Sequence, residues 1–103
     1  MDNQEKIEAA VFRRLLAHFD QRKDVQNIDL MGHSGFCRNC LSDWYKEAAA
    51  ELGTDMSKDA ARERVYGMPY SDYKSKYQSP ATDAQLALMK ESVAKNKAAP
   101  GDA

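Results

Sequence analysis

The stretch "GHSGFCRNCLSDWY", Gly32 to Tyr45, holds both cysteines of the chain, its single tryptophan and one of its two histidines. From Cys37 the apolar residues Cys37, Cys40, Leu41, Trp44, Ala48 and Leu52 recur at steps of three, one, three, four and four, with neither Gly nor Pro between them. Steps of three and four keep side chains on one face of a helix. The spacing predicts a helix from about residue 36 to 52, stopped by Gly53, with both thiols on the face of the tryptophan.

The same periodicity continues on either side. Over residues 4–22, Ile7, Val11, Phe12, Leu15, Leu16 and Phe19 draw one broad apolar arc, while Lys6, Arg13 and Asp20 point the other way. Glu8 projects near the middle of that arc and His18 at its edge, so both are expected to be half-buried. This helix and the cysteine-bearing one are the two longest, and they are expected to pair through Val11, Leu15 and Phe19 against Leu41, Trp44 and Ala48. Between them, "DVQNIDLMG" is read as a short helical turn capped by Asp24 or Asn27 and ended by Gly32. Further helices are predicted at 57–66, at 70–77 after Pro69 with a possible cap at Ser71, and at 83–96 behind a Thr82/Gln85 capping box. The fold class is all-α, a small bundle of four to five helices with no β-sheet, successive long helices lying antiparallel. Residues 1–103 are read as a single domain with a frayed tail at about 97–103.

A chain of 103 residues can bury a modest core without a disulfide or metal staple. No apolar run reaches the length of a membrane helix, and the N-terminus is acidic and polar where a secretory signal would be basic and then apolar. A cytoplasmic protein with reduced thiols is therefore expected. Net charge is −1, with seven basic against nine acidic residues through Leu52 and eight against seven beyond it. Nucleic-acid binding, which normally shows clustered Lys and Arg, is not expected. The tyrosines at 66, 70, 73 and 77 are read as buried rings, not as base-stacking platforms.

Cys37 and Cys40 stand as Cys-Arg-Asn-Cys at the start of a helix, where backbone N–H groups and Arg38 favour a thiolate. Such a pair is a small apolar piece of core, a metal ligand pair, or a reactive dithiol. For zinc, His18 and His33 would complete a Cys₂His₂ inventory, but the spacing follows no zinc-finger pattern. The redox option lacks the βαβ setting of thioredoxin-like motifs. Glu8 is a further candidate ligand. A glycine-rich phosphate loop, G-x-S-x-G and H-E-x-x-H are all missing, and no catalytic residue is assigned.

"DVQNIDLM", "GFCRNCLSDWY" and "VYGMPYSDYKSKYQ" together resemble the short bacterial proteins of the domain of unknown function 1244 family. The resemblance implies a small all-helical protein and brings no activity, substrate or cofactor with it. It implies two cysteines at Cys37 and Cys40 and a histidine at His18, whereas "LAG" commonly stands in place of this chain's "HSG". A family-wide metal site would then favour His18, Cys37 and Cys40, with a carboxylate such as Glu8 or Asp29, over His33. The reading as a whole expects a non-enzymatic interaction or assembly module without cofactor, working with a protein partner or as a homodimer. The alternative is a metal-binding or thiol-reactive protein that uses Cys37 and Cys40, with zinc or another transition metal.

Overall fold

Periodicity, caps and glycines resolve into six helices in the computed structural model, which describes residues 3–98. They are α1 (Asn3–Gln21), α2 (Asn27–Ser34), α3 (Arg38–Glu51), α4 (Lys58–Tyr66), α5 (Tyr70–Tyr77) and α6 (Asp83–Ala98). No strand occurs among the described residues.

Six helices replace the expected four to five, because the segment read as a turn is a helix of two turns. The Asp29 carboxylate accepts the Gln26 N–H at 3.3 Å to open α2, and the Gly35 N–H closes it on the Met31 carbonyl. Gly35, at φ 79°, takes the left-handed stop that the sequence assigned to Gly32. Gly32 lies inside α2, where a Cβ would come within 3.0 Å of Leu88 on α6. Its value is close approach between helices. Helix α6 runs to Ala98 and so takes in the first two residues of the segment read as a tail, while residues 99–103 lie outside the described residues.

Local chemistry accounts for the other boundaries. Ser57 Oγ caps α4 by accepting from the Ala60 N–H at 3.1 Å. Thr82 and Gln85 cap α6 reciprocally, at 2.8 and 3.2 Å. Helix α5 starts behind Pro69 and needs no cap from Ser71.

Helices α3 and α4 pack antiparallel, α5 folds back on α4, and α1 lies against both α3 and α4. Tyr66 on α4 meets Asn39 on α3, while Phe12 on α1 stacks on Tyr45 of α3 at 5.8 Å and Phe19 lies against Arg38. The core joins Leu16, Leu41 and Val65, with Phe12, Leu15 and Phe19 packed around them. Helices α2 and α6 run parallel, held by Gln85 to Asp29 at one end and Asn96 to the Gly35 carbonyl at the other.

The expected α1–α3 seam is therefore rotated. Because α4 contributes Val65, the part of the α1 arc that packs is Phe12, Leu15, Leu16 and Phe19, and Ile7 and Val11 stay in solvent. Val11 is 63 % exposed and Trp44 42 % exposed, and Ala48 is also exposed. Trp44 instead stacks on Phe36 at 5.7 Å. Trp44→Ala is accordingly expected to cost only about 1 kcal/mol, the worth of an aromatic pair, and not the several kcal/mol of a core tryptophan. A urea titration followed by circular dichroism checks this, and a loss above about 3 kcal/mol would place Trp44 back in the core.

Candidate functional site

At the junction of α2 and α3 the chain turns at Gly35 and places the buried polar side chains of Arg38 and Ser42. Gly35 reverses the backbone, Cys37 follows in extended conformation as the residue before α3, and Arg38 is the first helical residue. This geometry sends the two neighbours to different places. The Cys37 side chain turns toward Cys40, and that of Arg38 turns into the core.

The sulfurs of Cys37 and Cys40 lie 3.9 Å apart as free thiols, and Cys40 Sγ lies 3.8 Å from the Met31 thioether on α2. Cys37 is buried and Cys40 half-buried. Burial pushes the Cys37 thiol up, opposed only in part by the N–H groups of Cys40 and Asn39 in the first turn of α3. Burial and the helix start thus act on the Cys37 thiol in opposite directions, and burial is the larger of the two.

Arg38 is 2 % exposed, the most deeply placed charge described. Its guanidinium donates to the Val25 carbonyl at 2.9 Å, to Asn27 Oδ1 at 3.0 Å and to the Arg22 carbonyl at 3.0 Å. It also faces the rings of Phe19 at 5.0 Å and Tyr73 at 5.7 Å. One side chain thereby ties the end of α1, the α1–α2 connection and α5 to the start of α3. Asn27 extends the network, since its Nδ2 donates to the Tyr66 hydroxyl at 2.9 Å and that hydroxyl donates to Asn39 Oδ1 at 2.7 Å. Tyr66, Tyr70, Tyr73 and Tyr77 form a chain of tilted rings with centroids 4.4 to 5.2 Å apart, which occupies these tyrosines in packing.

The remaining predicted ligands are dispersed. His18, His33 and Glu8 are exposed, and Glu8 accepts from Gln4 at 3.2 Å. Both oxygens of Asp29 are engaged, by Gln26 and by Gln85. Among the described residues no group of three or more His, Cys, Asp and Glu side chains could hold a metal ion, so the cysteines meet and the histidines do not join them.

Residues 25–91 match the family model described as "Protein of unknown function (DUF1244)". The chain belongs to the DUF1244 family. The matched DUF1244 stretch contains Asn27, Met31, Cys37, Arg38, Asn39, Cys40, Tyr66 and Tyr73, which is the whole junction apart from what α1 adds to it. Glu8 and His18 precede it. No curated protein matches the chain, and the DUF1244 description assigns no activity.

The sequence reading gives Asn27 a capping role and sets Arg38 beside the thiols, but it places neither of them, nor Asn39, in a buried network, and the structure turns Arg38 into the core. The signal for Arg38 was present in α3 itself. Arg38, Leu41, Ser42 and Tyr45 recur at i, i+3, i+4 and i+7, a helix face hidden by its two polar members.

Proposed function

We propose that this DUF1244 chain is a non-enzymatic assembly module that associates with a second copy of itself through the open flank of α1 and the neighbouring surface of α3. The observation that supports it is apolar exposure: Ile7 is 59 % and Val11 63 % exposed, one turn apart on α1, and Trp44 on α3 is 42 % exposed. Helix α1 spends Phe12, Leu15, Leu16 and Phe19 on its own core and leaves Ile7 and Val11 to a partner. A net charge of −1 puts little repulsion between two copies. A cytoplasmic setting without nucleic acid belongs to the same reading. No described helix is long and apolar enough to cross a membrane.

Sedimentation velocity over a range of concentrations tests the proposal. The wild type is expected to shift toward twice the monomer mass as concentration rises, and Ile7→Glu with Val11→Glu should hold it monomeric with an unchanged circular dichroism spectrum. A wild type that stays monomeric throughout, or a dimer indifferent to the double substitution, overturns it.

A further inference from the structure

Counting thioether sulfur as well as His, Cys, Asp and Glu changes the ligand inventory at the α2–α3 junction. Three sulfurs meet there: Cys37 Sγ and Cys40 Sγ are 3.9 Å apart, and Cys40 Sγ and Met31 Sδ are 3.8 Å apart. We propose that Met31, Cys37 and Cys40 form a three-coordinate site for monovalent copper.

The geometry carries the argument. Three sulfurs placed around one ion at metal–sulfur distances of about 2.3 Å in a plane stand about 4 Å from each other. Both of these separations have that length and share Cys40, so two edges of the triangle are in place, and the third, from Cys37 to Met31, is the one that side-chain rotation must close. The donor set chooses the metal. Two thiolates and a thioether are soft ligands that select Cu(I), whereas zinc favours four ligands drawn from Cys, His and carboxylate. Such a set is not assembled among the described residues.

The surroundings suit a guarded site. Cys37 is buried and Cys40 and Met31 are half-buried, which leaves access from the Cys40 side. Gly35 folds α2 back over the first turn of α3, and Asn96 holds that turn by donating to the Gly35 carbonyl at 2.7 Å. A side chain at Gly35 would meet both the positive φ of 79° and Asn96 Oδ1 at 2.6 Å, so the turn that brings Met31 to the cysteines is fixed from two sides. Binding is a proton-for-metal exchange: two thiols and one Cu⁺ give a bis-thiolate copper complex of charge −1 and release two protons, with no change of oxidation state. The Met31 sulfur donates a lone pair and loses nothing.

The site is independent of self-association, and its test reads metal and not mass. Reduced full-length protein is titrated anaerobically into the Cu(I) complex of bicinchoninate, whose colour reports copper withdrawn. One Cu(I) per chain is expected, with quenching of Trp44, which follows Cys40 by one helical turn. Cys37→Ser or Cys40→Ser should remove the copper, and Met31→Leu, which conserves volume and should leave the thermal midpoint in place, should weaken retention at least tenfold. His18→Ala and His33→Ala should bind as the wild type does. No copper withdrawn, retention unaltered by Met31→Leu, or loss of copper on substituting either histidine would each overturn the site.

Discussion

Arg38→Met is expected to lose about 3 to 5 kcal/mol of folding stability, a large part of what a domain of this size possesses. Burying a guanidinium is costly, and replacing a whole buried ion pair by apolar side chains is often neutral or better. That relief does not apply here. The partners are the carbonyls of Arg22 and Val25 and the side chain of Asn27, which stay in place when the arginine goes. The Arg22 carbonyl keeps the Val25 N–H at 3.1 Å and Asn27 Oδ1 keeps the backbone N–H of residue 38 at 3.4 Å, so the Val25 carbonyl is the acceptor that loses its donor, at about 1 to 3 kcal/mol, and the rest of the loss is the packing and hydrogen bonds of the guanidinium itself. The faces of Phe19 and Tyr73 also lose their cation. Arg38→Lys keeps the charge but not the fork that reaches several acceptors at once, so it should recover only part of the loss. Urea unfolding of the three proteins, followed by circular dichroism, measures the series. A Met variant within about 1 kcal/mol of wild type would show that water satisfies these acceptors and that the clamp does not hold the fold.

How far the fold could be read from sequence follows from what each helix packs against. Helix α5 was read at its observed bounds, because Pro69 fixes one end and the tyrosines mark a single side. Helix α2 was under-read because its opening carries no strong local signal and two glycines, Gly32 and Gly35, compete for its end. Its opening depends on Asp29 reaching back to Gln26, and Gly32, which resembles a stop, is needed for contact with Leu88 on a helix more than fifty residues away. A glycine at a helix crossing and a glycine at a helix end look alike in sequence.

The candidate site was legible in its thiols and illegible in its supports. Cys37 and Cys40 come together by local spacing alone. Met31 approaches them only because Gly35 reverses the chain, and Arg38 turns inward because α1, α2 and α5 offer it acceptors and rings. Trp44 was drawn into the apolar stripe by its chemistry, yet the packed face of α3 runs through Arg38, Leu41, Ser42 and Tyr45. Hydrophobicity located the helix correctly and misjudged its rotation, since two of the buried side chains on its inner face are polar.

Tyr66 supplies the second large expected effect, at the opposite end of the same network. Its ring lies between Tyr70 and Tyr73, at 5.2 and 4.4 Å, and its hydroxyl joins Asn27 to Asn39. Tyr66→Ala should cost about 3 to 5 kcal/mol, as large aromatic truncations in cores do. Tyr66→Phe keeps the ring and strands only the amide partners, at about 1 to 3 kcal/mol. The two variants separate packing from hydrogen bonding at neutral pH, and alkaline pH adds a further distinction. Burial raises the Tyr66 phenol well above its ordinary range, so the folded chain keeps a proton that the unfolded chain releases. Its contribution is complete below the unfolded value of about 10 and falls away as pH rises beyond it. Tyr73 and Cys37, both raised by burial, act in the same direction, and the loss attached to Cys37 begins nearer pH 9. Since phenylalanine cannot ionise, the stability gap between wild type and Tyr66→Phe should narrow as pH climbs past about 10. Urea titrations at neutral pH and at successive alkaline steps would record that convergence, and a gap that stays constant would mean that the Tyr66 hydroxyl is open to water in the folded protein.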